Sequence, residues 1–246
     1  MEVIILAGGL GTRLRSEVKD VPKCMAPVDG KPFLWYLLKD LSKYKEVTRV
    51  ILSVGYLREV IFEWIDQVKD EFLFEFDYAI EERPLGTGGG IKLALDKVKD
   101  ECAFVLNGDT YFAVNLMQLY ETHFINEKAI TLALKPMKKF ERYGTVDLEQ
   151  TTGTILSFNE KKYCEEGLIN GGVYIISKNA PIFEGLGEKF SFETAVLEPQ
   201  CARHQLLGIV QNGYFVDIGI PEDYHKAEID IVKIFNNYGK DKKINR

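Results

Sequence analysis

Four cysteines, at 24, 102, 164 and 201, and three histidines, at 123, 204 and 225, are all the thiol and imidazole groups in the chain. No two cysteines form a C-x-x-C pair, so neither a zinc site nor a disulfide framework is expected. The thiols read as those of a reduced, cytosolic protein. Long apolar runs are also missing; none approaches the ~18 residues of a membrane span. The N-terminal MEVIILAGGLGTRL has an apolar run of only about five residues and no basic n-region, so neither signal peptide nor membrane anchor is expected. Positive charge is in deficit, with 31 Lys and Arg against 37 Asp and Glu and a net charge of -6. No global basic field exists to hold nucleic acid. Linkers rich in Pro, Gly or Ser are absent, as are internal repeats. What remains is a chain of 246 residues, 46% hydrophobic and 28% charged. That is the balance of an ordinary globular protein with a full core.

The first half alternates. Val3 to Ala7, Val50 to Val54, Leu73 to Ile80 and Ala103 to Leu106 read as strands, the first two and the last as buried apolar runs. Phe33, Leu34, Leu37, Leu38 and Leu41 recur at helical spacing, as do Leu57, Val60, Ile61, Trp64, Ile65 and Val68. The glycine-rich segment from Leu85 to Gly90 leads into a further helix through Leu93 to Leu95. This order argues for an α/β fold with a mostly parallel sheet. After about residue 128 short strands dominate: 130–134, 145–148, 154–158, 172–176, 206–210 and 214–218. A helix is expected over 192–197, and a last one starts at Pro221. The expectation is one domain over 1–238 in two halves, 1–127 and 128–238, and a polar tail over 239–246 that frays.

Ligands of open parallel sheets sit beyond the carboxyl ends of the strands, and three such ends are unusual here. Gly8-Gly9-Leu10-Gly11-Thr12-Arg13 lets backbone N–H groups approach a phosphate, and Arg13 adds a fork of charged donors. It is not the dinucleotide fingerprint, because Leu14 stands where a third Gly would be needed, and no Walker A loop occurs. Arg13, Arg15, Lys19 and Lys23 gather four cations in one loop, which suits a polyphosphate; a solvated charged face remains an alternative for Arg15 and Lys19. Asp109, in Asn107-Gly108-Asp109, and Asp217 close two further strands. They are hard oxygen ligands suited to Mg²⁺, or else turn residues.

L-A-G-G-L-G-T-R-L, then P-K-C-M-A-P-V, then G-K-P resembles the signature of the sugar-1-phosphate nucleotidylyltransferases. Further matches run down almost the whole chain. Pro84 to Gly89 resembles the base-binding loop, Tyr143-Gly144 the loop that touches the sugar, and Glu160-Lys161 with Asn170 to Tyr174 the sugar-phosphate pocket. Asp217 to Tyr224 resembles the second metal strand and its helix. Two positions depart from the pattern. Cys24 stands where Pro is common, so a thiol reagent is expected to inhibit without Cys24 being catalytic. Ile220 stands where Thr is common.

The resemblance implies a Rossmann-like three-layer sandwich with a mixed, mostly parallel sheet, and a reaction in which an NTP and a sugar 1-phosphate give NDP-sugar and pyrophosphate. A phosphate monoester is already an anion, so catalysis is positioning plus charge neutralisation. On this reading Arg13 and Lys23 are catalytic: Arg13 holds the leaving pyrophosphate and Lys23 the charge on the α-phosphate. Leu6, Ala7, Gly8, Gly9, Gly11, Thr12, Glu81, Gly86 and Thr87 bind the nucleotide with them. Lys161 holds the sugar's phosphate, Glu160 accepts from its hydroxyls, and Gly144, Asn170 and Gly171 shape the same pocket. Asp109 and Asp217 hold Mg²⁺.

The short chain and the Thr87-Gly88-Gly89-Gly90 loop look most like bacterial D-glycero-D-manno-heptose 1-phosphate guanylyltransferases. Relatives that use UTP, dTTP or mannose 1-phosphate have similar loops. A carboxylate at Glu81 can accept both the N1–H and N2–H of guanine, with Glu82 turned to the opposite face. A nucleotide-sugar-dependent glycosyltransferase would also place an acid at a strand end, but needs no G-G-x-G-T-R loop followed by Pro-Lys. A non-catalytic regulatory homologue is disfavoured by the joint presence of Arg13, Lys23, Asp109, Lys161 and Asp217. No nucleic-acid or membrane partner is expected, and the oligomeric state is open, a homo-oligomer included.

Overall fold

The structure, a computed structural model, describes residues 1–9, 14, 17, 18 and 20–244, with 237–244 as backbone alone. The first half builds β1 (Glu2–Leu6), a short hairpin of β2 (Pro27–Val28) and β3 (Lys31–Pro32), α1 (Phe33–Leu41), β4 (Arg49–Val54) and α2 (Arg58–Val68). β5 (Glu75–Ile80), α3 (Gly86–Leu95), β6 (Cys102–Asn107), β7 (Thr110–Phe112) and α4 (Leu116–Asn126) follow. The second half adds β8 (Ile130–Phe140), β9 (Val146–Leu148), β10 (Ile155–Phe158), β11 (Cys164–Ser177), α5 (Glu198–Ala202), β12 (Leu206–Val210), β13 (Phe215–Asp217) and α6 (Pro221–Ile244).

Seven strands form one sheet in the order β12-β8-β11-β6-β1-β4-β5. β11 runs antiparallel to both its neighbours, and the other adjacent pairs are parallel. The strands are apolar on both sides because both sides are covered. Val3 and Ile5 of β1 face a core with Leu34, Leu38, Ile61, Ile65, Leu119 and Ile231 from α1, α2, α4 and α6. Ile4 faces the opposite core with Ile91, Ala94, Phe192, Val196 and Leu197. The result is a three-layer sandwich. The chain winds outward from β1 through β4 to β5, then crosses back to β6 on the other side of β1. This reversal opens a crevice beyond the carboxyl ends of β1 and β6.

Two sequence expectations change. The glycines of 86–90 are not a loop before a helix; they are the first turns of α3. Glycine inside a helix costs ~1 kcal/mol against alanine, and here the missing side chains make room for the 188–192 segment. A Cβ on Gly86, whose φ is +74°, would meet the Phe190 carbonyl at 2.6 Å. Gly88 N–H donates to that carbonyl (3.1 Å), and Phe190 N–H donates to Leu85 O (3.0 Å). The helix expected from Pro221 is α6, which runs to Ile244. Finally, the helix expected over 192–197 is a π-helical turn, Glu193–Leu197, that runs into α5.

Candidate active site

The phosphate-loop residues Gly11, Thr12 and Arg13, with Arg15 and Lys19, lie outside the described residues. Everything else assigned from the sequence can be placed. Lys23 opens a 3₁₀ turn, Lys23–Met25, closed by Met25 N–H to Pro22 O and Ala26 N–H to Lys23 O. Cys24, Met25 and Ala26 are buried and anchor the turn, so the lysine has little freedom. Its ammonium reaches both metal candidates. It pairs with the Asp109 carboxylate and lies 3.6 Å from Asp217 Oδ1.

A two-stranded ladder brings those carboxylates together. Past β6 the chain turns at Gly108 and Asp109 into β7, which pairs antiparallel with β13 so that Thr110 faces Asp217. Ile218 N–H donates to the Asp109 carbonyl at 3.0 Å, and Gly219 N–H to Asp217 Oδ1 at 2.7 Å. Burial, and then the neighbouring Asp109 charge, push the Asp217 carboxyl above its ordinary range; Lys23, the Gly219 N–H and Arg142 act against this. The pair is a place of excess negative charge that one ammonium only partly offsets. Two carboxylates leave most of a six-oxygen shell to water and phosphate oxygens, which is how Mg²⁺ is commonly bound. The donor set therefore fits that ion.

Two cavities flank this triad: Lys23 and Asp109 border one, Asp217 borders the other, and Asn107 borders both. One, of about 370 Å³, is lined by Leu6, Ala7, Gly8, Gly9, Lys23, Glu81, Gly86, Thr87 and Asp109 among others. Each described residue assigned to the nucleotide borders it. The Glu81 carboxylate fills the space that side chains at Gly8 and Gly90 would take; a Cβ there would meet Oε1 at 2.8 and 2.9 Å. Ser53 Oγ–H donates to Oε1 (3.2 Å) and Leu85 N–H to Oε2 (3.0 Å). Glu82 is not part of this lining; it is exposed and accepts from Arg58 at 3.2 Å.

The second cavity, of about 340 Å³, is lined by Gly144, Lys161, Asn170 and Gly171, four of the residues assigned to the sugar phosphate, by the metal candidate Asp217, and also by Asn107, Arg142, Thr145, Asn159, Tyr174 and Glu193. A bulge in β11 between Asn170 and Tyr174 breaks its register with β8. Gly172, at φ +72°, packs on the Asn107 side chain. Bulges commonly re-aim side chains at sites, and this one leaves Asn170 donating to Tyr174 Oη at 2.9 Å. Glu160 is exposed and does not border the cavity, although Lys161 beside it does. Tyr143 packs edge-on to Phe215 at 5.8 Å, and burial pushes its hydroxyl up to about 12, so its ring is part of the packing of the cavity wall. Arg142 and Glu193 escaped the sequence reading. Arg142 directly precedes the Tyr143-Gly144 match; Glu193 carries no motif signal at all.

Cys24 corrects an expectation. It borders the first cavity, but it is 3% exposed, and burial followed by the Asp109 charge pushes its thiol up to about 12. The thiolate is the reacting species, so alkylating reagents at neutral pH are expected to spare Cys24 and leave activity intact. Rapid, stoichiometric inactivation mapped to Cys24 by mass spectrometry would contradict this.

Among the described residues, no helix is long and apolar enough to cross a membrane. The Nucleotidyl transferase family model matches residues 2–233. The chain is 47% identical over 231 residues to D-glycero-alpha-D-manno-heptose 1-phosphate guanylyltransferase of Aneurinibacillus thermoaerophilus, covering 94% of this chain and 98% of that one. It is 47% identical over 226 residues to the enzyme of the same description from Campylobacter jejuni, covering 92% and 97%. The crystal structure of HddC from Yersinia pseudotuberculosis complexed with GMP-PN superposes with a TM-score of 0.78 at 36% identity, covering 92% of this chain and 97% of that one. A family match over nearly the whole chain, on a fold whose two cavities flank a lysine and two aspartates, makes this protein a member of the Nucleotidyl transferase family of enzymes.

Proposed function

We propose that the protein condenses GTP with D-glycero-α-D-manno-heptose 1-phosphate, giving GDP-heptose and pyrophosphate. The observation that carries this is that the two cavities share Asn107 and flank the cluster of Lys23, Asp109 and Asp217. A nucleotide in one and a sugar phosphate in the other would meet there. An oxygen of the sugar phosphate attacks the α-phosphorus, the bond from that phosphorus to the bridging oxygen breaks, and pyrophosphate takes the electron pair. Lys23 offsets charge on the α-phosphoryl oxygens, and Lys161 and Arg142 draw the sugar phosphate in. Asp109 and Asp217 would hold Mg²⁺, which supplies further charge neutralisation when bound. Arg13 is assigned to the leaving pyrophosphate and Asn170 to the sugar. Free cysteines and nucleotide substrates fit a cytoplasmic setting.

The base is read at Glu81. Each carboxylate oxygen has two lone pairs, and one on each is taken by Ser53 and Leu85. The other two can accept adjacent N1–H and N2–H donors, which guanine has and adenine, cytosine and uracil lack. The relatives named as guanylyltransferases support the same choice.

The test is a matrix of NTPs against sugar 1-phosphates, read by pyrophosphate release. GTP with the heptose phosphate should give the highest kcat/KM. Glu81→Gln should erode the preference for GTP over UTP by about 1–3 kcal/mol, the scale of one mismatched charge-assisted bond. Equal GTP selectivity in wild type and Glu81→Gln would refute the role of Glu81. A pyrimidine preference in wild type would overturn guanylyl transfer itself, and absence of pyrophosphate release would favour a glycosyltransferase.

A further inference from the structure

We propose that Glu193 is the residue that reads the sugar's hydroxyls, and that Thr87, from the nucleotide side, aims it. The inference rests on the proposed sugar-phosphate reading of the second cavity and goes beyond it by naming its specificity carboxylate.

Glu193 borders the second cavity at the start of a π-helical turn, a geometry frequent at functional sites. Its two oxygens differ. Oε2 accepts from Ser191 Oγ (2.7 Å) and from Thr87 Oγ1 (3.0 Å). Oε1 has no partner among the described residues. Two short hydroxyl donors therefore fix the carboxylate and leave one oxygen to accept from a ligand. A fixed acceptor loses little entropy on binding.

Charge decides which part of the ligand it meets. A carboxylate repels a phosphate; the cavity's cations are Lys161 and Arg142, whereas Glu193 bonds only the hydroxyls of Ser191 and Thr87 among the described residues. The phosphate belongs with those cations, and the polyhydroxylated body of the sugar with Glu193. The neighbouring wall agrees. Tyr174, held neutral by burial and then by the Glu193 charge, and Asn170 present neutral polar groups. Glu160, the acid expected from the sequence to do this work, lies outside the cavity lining.

Thr87 gives the arrangement its second level. It stands in the first turn of α3 and borders the nucleotide cavity. Its oxygen accepts from Phe192 N–H at 2.9 Å while its hydrogen goes to Glu193. The helix that lines the base cavity thus sets the direction of the sugar-reading carboxylate.

Steady-state pyrophosphate release tests this with the preferred sugar 1-phosphate and its monodeoxy analogues, in wild type, Glu193→Gln, Glu193→Ala and Thr87→Val. Both Glu193 variants should raise KM for the sugar phosphate at least about 10-fold, the loss of a hydrogen bond to a charged group. KM for the nucleotide and kcat should stay within about twofold. One deoxy analogue should cost wild type about 10-fold or more yet cost Glu193→Ala under about twofold, because the hydroxyl and its acceptor form one interaction. Thr87→Val should move the same analogue penalty in the same direction. Deoxy penalties identical in wild type and variants, or an equal rise in both KM values, would overturn the inference while leaving the transferase reading standing. No wild-type turnover with any sugar 1-phosphate would sink both.

Discussion

Asp109→Asn and Asp217→Asn are each expected to lower kcat for pyrophosphate release by at least about 10²-fold, the scale on which enzymes lose an electrostatic stabiliser. That corresponds to about 2.7 kcal/mol of barrier. The argument lies in the charge balance. The β7–β13 ladder holds two carboxylates against one ammonium, and burial raises the cost of keeping Asp217 ionised. A fold tolerates such a pair where a cation completes it. The same reasoning predicts a stability gain: without Mg²⁺, Asp217→Asn should melt above wild type at neutral pH, because it removes a buried repulsion. Functional sites are often held at a cost in stability. Full activity in EDTA, or in either variant, would sink the two-ligand site; a lower melting temperature for Asp217→Asn would show that the repulsion is already relieved within the fold.

Lys23→Ala is expected to depress kcat by a similar factor, about 10²-fold, while Lys161→Ala mainly raises KM for the sugar phosphate. The two lysines differ in burial and in company. Lys23 has an 11% exposed side chain lodged between two acids; its loss leaves both uncompensated and should lower the melting temperature as well. Lys161 is exposed at the rim of the sugar cavity, so its removal should leave the melting temperature within error. Identical kinetic profiles for the two variants, in stopped assays at saturating GTP, would show that this division is wrong.

The parallel half of the fold was legible because buried strands announce themselves as unbroken apolar runs, as in Val50 to Val54. The segments that escaped carry weak patterns. α4 buries only Leu116, Leu119 and His123, too few for a clear stripe. β11 starts eight residues before the strand expected at Gly172, because its first turn of sequence, Cys164 to Gly167, is polar or glycine and half-exposed. The glycines of α3 concealed a helix because their reason is tertiary, the passage of Phe190 across them. The site divides in the same way. Residues in contiguous loops, such as Gly8, Lys23, Glu81 and Asp109, could be assembled by motif. Arg142 and Glu193 enter through contacts with Asp223 and Thr87, 81 and 106 residues away, which no local pattern encodes.

The placement of β11 between β6 and β8 limits how this enzyme could be recombined. A chimera joined at residues 127 and 128, intended to graft a new sugar preference onto the same nucleotide half, would cut between strands of a continuous sheet. Either fragment alone would expose a long apolar edge at β6 or β11, an invitation to aggregation. It would also separate Asp109 from Asp217 and Thr87 from Glu193. Altered sugar specificity is better sought by exchanging the segment 187–197 together with Thr87, a patch that crosses the midpoint of the chain without crossing the sheet.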